Sequence, residues 1–201
     1  MKLTNSHYIR YLITIIILIF SFQSLTKADD IRDFQIEGMS IGDSLLDYFS
    51  EDEINSNLNY NSYTWKSKKK FIDLEFYSKK KFKMYDGAQI TVKKGDKKYL
   101  IHAIAGGKFY DGTIDVCYFD MKNIRNEIKD LFTNAKTEFD KKLDHPNGKG
   151  FALSNWFDID GGSISLMCTD WNNDAEKNLK WKDNLRIEVR NNEFSEWIDS
   201  N

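Results

Sequence analysis

Catalysis at a serine needs a base to take its proton, an acid to orient that base, and donors for the oxyanion. The stretch GMSIGDSLLDYF, Gly38 to Phe49, offers Ser44 as such a nucleophile. Beyond residue 28 the histidines available as its base are His102 and His145. Neither has an aspartate three places before it, and His145 precedes Pro146 in DHPNGKG, which reads as a loop. Before the serine, FQIEGMS sets glutamate, glycine and serine where a buried strand would have to present the nucleophile. Ser44 is therefore expected to be structural. Ser40 with Asp43, and Ser50 with Glu53, have capping-box spacing, so GMSIGDSLLDYFSEDEI is expected to form two short helices opened by serines.

The letters Gly42-Asp43-Ser44-Leu45 resemble the motif of the GDSL esterases and lipases. That resemblance implies a late Asp-x-x-His block and separate oxyanion glycine and asparagine blocks. None of these is recognisable, and a serine hydrolase is rejected. Carboxylates remain, and a hydrolase site could be built from acids such as Asp158 and Asp160 in DIDGGS. Calcium is not indicated, because an EF-hand loop needs glycine at its sixth position and glutamate at its twelfth. Counted from Asp158 those positions hold Ser163 and Thr169, and from Asp170 they hold Ala175 and Trp181. Beyond residue 28, two widely spaced histidines and two cysteines do not make a zinc site. Gly106-Gly107 lacks the spacing and the Lys-Ser of a phosphate loop. No catalytic, metal or cofactor-binding residue is assigned.

Lys2 and Arg10 give a basic start, and the apolar run Tyr11 to Phe22 follows. As a helix this run would reach roughly 18 Å, against roughly 30 Å of bilayer hydrocarbon. Thr26 and Ala28 supply small residues for a signal peptidase, so cleavage is expected between Ala28 and Asp29. Residues 1–28 are then a signal peptide and 29–201 a single α+β domain, periplasmic or secreted, with no transmembrane segment. In an oxidising compartment an even cysteine count favours pairing, so Cys117 and Cys168 are expected to form a disulfide, with two buried thiols as the rival arrangement.

The charges are segregated. Residues 29–59 carry one base and nine acids, 60–108 thirteen bases and four acids, and 109–201 twelve bases and eighteen acids. Such segments are expected to attract one another once folded rather than to form a dedicated anion-binding surface.

Period-2 alternation marks the strands that must carry any site. It is clear in FIDLEFY, AQITV and YLIHAIA, the last two forming a hairpin around KKGDKK. TIDVCYF is read as a fourth strand. A long amphipathic helix is expected over about 121–142, capped by Asp120, with Ile124, Ile128, Leu131, Phe132, Ala135 and Phe139 on one side. FALSNWFDI and SISLMCTDW flank Gly161-Gly162 as a second hairpin, LRIEV adds a strand, and Phe194, Trp197 and Ile198 mark a short C-terminal helix capped by Asn191 or Asn192. The fold class is α+β: antiparallel sheet, two short N-terminal helices, one long helix and a short closing helix.

The glycine-Met-Ser opening ahead of a β-meander resembles BamE and SmpA-type envelope modules over some twenty residues. DIRDFQIEGMSIGDSLLDYF, MCTDW and LRIEV with EFSEWI together resemble small exported proteins of marine alphaproteobacteria. These resemblances imply export and one α+β domain, and add no mechanism. The expected function is a non-catalytic soluble periplasmic module that binds an envelope protein or a glycan, with no nucleic-acid client. The alternative is a periplasmic hydrolase with a carboxylate-based site. Five tryptophans supply stacking surface, Trp65, Trp156, Trp171, Trp181 and Trp197, most of them expected in the core.

Overall fold

The alternating segments pair into one antiparallel sheet. The computed structural model describes residues 28–60, 62–64, 70–78 and 80–200. The expected leader lies outside the described residues save for Ala28, whose amide donates to the Leu131 carbonyl at 3.2 Å. Two 3-10 turns, Ile31–Asp33 and Leu45–Asp47, lead into α1, Glu51–Tyr60. The strands β1 (Ser62–Thr64), β2 (Phe71–Phe76), β3 (Gly87–Lys93) and β4 (Ile101–Phe109) follow, then α2 (Ile114–Leu131). After it come β5 (Lys136–Asp144), β6 (Gly150–Ile159), β7 (Gly162–Trp171), α3 (Asn173–Leu179), β8 (Asn184–Asn191) and α4 (Asn192–Asp199). The strand order is β1-β2-β3-β4-β8-β7-β6-β5. A helix followed by a four-stranded meander thus occurs twice, and the last strands of the two meanders, β4 and β8, meet antiparallel at the centre.

Register sorts the two faces. Leu74, Ile90, Ile104, Val189, Ile164 and Phe157 lie opposite one another in turn, and each is buried. They face α1 and α2, which contribute Ile54, Met121 and Ile128 to the same core. Neighbouring rows point the other way and are mostly polar: Glu75, Gln89, Ala105, Glu188, Ser165 and Trp156 run in register across the sheet. On that second face α4 docks at one end. Its Phe194 and Trp197 set their rings 5.1 and 5.2 Å from Phe71, each nearly edge-on, over Ala103. Edge-on pairs of this kind add about 0.5–1.5 kcal/mol each beyond area burial. The expected cap is present, since the Phe194 amide donates to Asn191 Oδ1 at 2.9 Å.

Two elements differ from expectation. TIDVCYF is helical, and the helix spans Ile114–Leu131 rather than 121–142. Ile114, Cys117, Met121, Ile124, Ile128 and Leu131 form a stripe at alternating spacings of three and four, which outcompetes the short Ile114-Val116-Tyr118 alternation; Val116 is half exposed. Asp120 is therefore inside the helix, where its carboxylate accepts from Lys108 Nζ at 2.7 Å and the Tyr110 hydroxyl at 2.8 Å. The chain turns after Phe132, and Ala135 and Phe139, expected on the helix, fall on the turn and on edge strand β5. Of the two serine-opened helices only the second is an α-helix. Ser50 and Glu53 close the capping box of α1, at 2.9 and 3.3 Å. The first is a single 3-10 turn whose cap is Ser44 itself.

Candidate functional site

The second face carries a trough along β4 and β8. Its floor is the small outward row of β4, Ala105 and Gly107, and its walls are taller side chains on the neighbours: Glu75, Tyr77 and Gln89 on one side, Arg186 and Glu188 on the other. Three depressions adjoin one another through shared lining residues. The middle one, about 230 Å³, shares Phe109 and Asn184 with a larger cavity of about 790 Å³ at one end. It shares Glu75, Gln89 and Arg186 with one of about 370 Å³ beside α4. From Asn184 to Arg190 along β8 this is roughly 20 Å at about 3.3 Å per residue.

The large cavity is aromatic. Trp171 is the last residue of β7, and α3 returns the chain so that Trp181 meets it edge-on, with ring centroids 4.6 Å apart. The return depends on Asn172, whose Oδ1 accepts the Ala175 amide at 3.0 Å, and on Lys180, left-handed at φ 59°. His145 closes the other side of Trp171 at 4.5 Å. Buried Asp183 fixes this end, because Trp171 donates its amide to Asp183 Oδ1 at 2.9 Å. Behind it, burial first and then the Asp183 carboxylate push Asp170 above the usual carboxylate range. Phe109 is 48% and Trp181 37% exposed, so both rings offer surface to the cavity.

The middle depression holds a third exposed ring. Tyr77, 67% exposed, lies against Gly87, where an added Cβ would sit only 2.8 Å from the ring. Glycine at 87 thus lets the ring lie on the strand with its outer side open. Gly107 next to it is the reverse case: an added Cβ there would meet nothing within 4 Å, because it would project into the trough.

Several charged groups around these rings are partnered. Lys182 bonds Asp111 at 2.7 Å, Asp86 Oδ2 accepts the Phe109 amide at 2.9 Å, and Arg186 donates to Gln89 at 2.6 Å and to Glu188 at 3.4 Å. Near α4, buried Asp73 accepts from Thr91 Oγ1 at 2.5 Å, and Arg190 lies 4.5 Å over the Trp156 ring. The segregated charges meet as expected. Lys81 of the basic segment pairs with Glu53 at 2.7 Å, Lys70 and Lys93 with Glu193 at 3.0 and 2.8 Å, and Lys108 with Asp120 at 2.7 Å.

Cys117 and Cys168 are bonded, with Cα atoms 6.0 Å apart. Since Cys117 is helical, the bridge ties α2 to β7 through the core instead of joining two strands. Ser44 Oγ donates to the Lys98 carbonyl at 2.7 Å and accepts the Leu46 amide at 3.3 Å, so its bonds go to backbone. Asp158 and Asp160 are exposed at the β6–β7 turn, outside the trough. His102 is buried under α4, 5.1 Å from the Phe71 ring and 3.0 Å from the Asn191 amide nitrogen, and burial lowers its pKa. The structure does not bring these acids and this histidine together. Among the described residues no three His, Cys, Asp or Glu side chains cluster as metal ligands would. No helix among them is long and apolar enough to cross a membrane.

Sequence reasoning did not anticipate Tyr77, Phe109 or the Trp171–Trp181 pair as one site. Their signals were Gly87, which faces the Tyr77 ring, and two tryptophans separated by a capped seven-residue helix. Of the four described tryptophans only Trp197 is buried, so the expectation that most lie in the core does not hold; Trp65 lies outside the described residues. Comparison with protein-family models, with curated proteins and with solved structures finds no match to this chain.

Proposed function

We propose that the protein is an exported binding module that holds an extended ligand in the β4–β8 trough and does not act on it. The observation that carries this reading is the row of three adjoining depressions, lined by exposed rings at Tyr77, Phe109 and Trp181. A concave, partly apolar surface with a few convergent polar groups is the usual form of a ligand site. Exposed aromatics are the side chains that most often anchor a bound partner. The reading as a binder rather than a catalyst is supported by the partnering of the trough's charges: Arg186 pairs with Glu188 and Lys182 with Asp111, and the Thr91 hydroxyl that donates to Asp73 is buried with it. Export is supported by the leader-like first residues and by the Cys117–Cys168 bridge, since disulfides persist in oxidising compartments.

Hydroxyl-radical footprinting in the native compartment, set against the purified protein, tests the reading without knowing the ligand. Tyr77, Phe109 and Trp181 should be protected in the cell, while exposed Phe119 on α2 should react equally in both samples. Equal reactivity of the three trough rings in both would defeat the proposal.

A further inference from the structure

We infer that the trough's ligand is a neutral oligosaccharide of several sugar units, an assignment that rests on the trough being the ligand site. Three features select this chemistry. The first is the arrangement of rings. Tyr77 and Phe109 lie within the middle depression and Trp181 beside Trp171 in the adjoining cavity, each with exposed surface. A π face carries partial negative charge and attracts the weakly positive C–H face of a pyranose. Rings placed in succession along a channel suit a polymer of such faces better than one compact ligand.

The second is charge. The walls carry five carboxylates and four lysine or arginine side chains, close to balance, and two pairs among them are joined, Asp111–Lys182 and Arg186–Glu188. A polyanion would need a surplus of free arginine or lysine, and a polycation a surplus of free acid. Paired carboxylate, amide and guanidinium groups, such as Glu188, Gln89 and Arg186, both donate and accept, which is what vicinal hydroxyls require.

The third is the floor. β4 is hydrogen-bonded to β3 on one side and to β8 on the other, so the trough exposes no strand edge. An extended peptide recognised by strand addition would find no backbone partners there, and its own amides and carbonyls would be desolvated without compensation. A saccharide brings no such requirement.

The test is a titration of the full chain, by tryptophan fluorescence and calorimetry, with the neutral hexasaccharides cello-, malto-, laminari- and chitohexaose. At least one should saturate the protein, its disaccharide should bind much more weakly, and raised salt should leave the affinity unchanged. Tyr77→Ala and Trp181→Ala should each weaken binding by about tenfold or more. Gly107→Gln, which fills the floor from its open side, should do the same with an unchanged melting temperature, so a misfolded ring variant does not decide the outcome. Failure of all four hexasaccharides overturns the assignment, as does binding that ignores all three substitutions. Protection of the trough rings in the cell together with failure of the panel removes the saccharide assignment and leaves the trough as a binding site.

Discussion

Breaking the Cys117–Cys168 bridge should cost a large share of the protein's stability without moving the trough. The bridged residues are 51 apart in sequence. Closing a loop of that length removes about 4 kcal/mol of chain entropy from the unfolded state, and native bridges usually deliver somewhat less. Both sulfurs are fully buried between α2 and β7, so reduction leaves two thiols that still pack as small apolar groups. The expected loss on reduction is therefore about 3 kcal/mol, nearly all of it acting through the unfolded state. For a domain of this size that lowers the melting temperature by roughly 6–12 °C. The Cys117→Ala/Cys168→Ala double variant should lose somewhat more, because it also leaves a small void. The assay is urea and thermal denaturation followed by far-UV circular dichroism, with and without reductant, after alkylation and mass measurement of the unreduced protein. Two alkylatable thiols in the denatured, unreduced protein would show that the bridge does not form, and matching midpoints for the oxidised and reduced forms would show that it does not stabilise the fold.

The adjacent glycines of β4 should respond oppositely. Gly106→Ala puts a Cβ 2.7 Å from the Tyr85 ring and should cost about 1–3 kcal/mol, whereas Gly107→Ala should be neutral or stabilising by up to about 1 kcal/mol; equal effects in denaturant titrations would contradict the assigned faces. Acid should weaken the fold through Glu193, held down at about 2 chiefly by the Lys93 hydrogen bond, and Glu53, at about 2 chiefly through Lys81. Both pKa values are depressed on folding, so this stabilisation is present above the ordinary value of 4.5 and is lost as pH falls from there toward 2. Both pairs are exposed to solvent, so the loss should be modest and should shrink in high salt; a urea midpoint that holds or rises over that range would contradict it. Ser44→Ala should cost about 1 kcal/mol by removing a cap. A fluorophosphonate probe should leave Ser44 unlabelled, and a covalent adduct there would refute its structural role.

The strands were legible where one face is core and the other wet. FIDLEFY, AQITV, FALSNWFDI and LRIEV alternate because Leu74, Ile90, Phe157 and Ile187 face the helices while their neighbours face the other side of the sheet. The terminal helix was legible from Phe194, Trp197 and Ile198 and its Asn191 cap. Residues 114–142 misled because both periods fit. Ile124 to Phe139 continues a plausible helical stripe past Leu131, and only the turn at Thr133-Asn134 and the pairing of Thr137 with Phe157 end it. The trough was not legible in the sequence, because its residues come from β2, β3, β4, β7, β8 and the segments beside them, and only the strand register and the return of the chain through α3 make them neighbours. Gly106-Gly107, rejected as a phosphate loop, proved to be a central strand that seats Tyr85 on one face and opens the trough floor on the other.

A ligand lying along β4, as proposed, sits between Tyr77 and the Trp171–Trp181 pair. Its place can be mapped by amide and indole chemical shifts of the isotopically labelled protein during titration with the best-binding hexasaccharide. The indole signals of Trp171 and Trp181 and the amides of Gly107 and Tyr77 should move together on one saturating isotherm, while the α2 amides from Ile114 to Leu131, on the opposite face, should stay still. Shifts confined to α2 or to the exposed edge strand β5, with the trough signals unmoved at saturation, would contradict that placement.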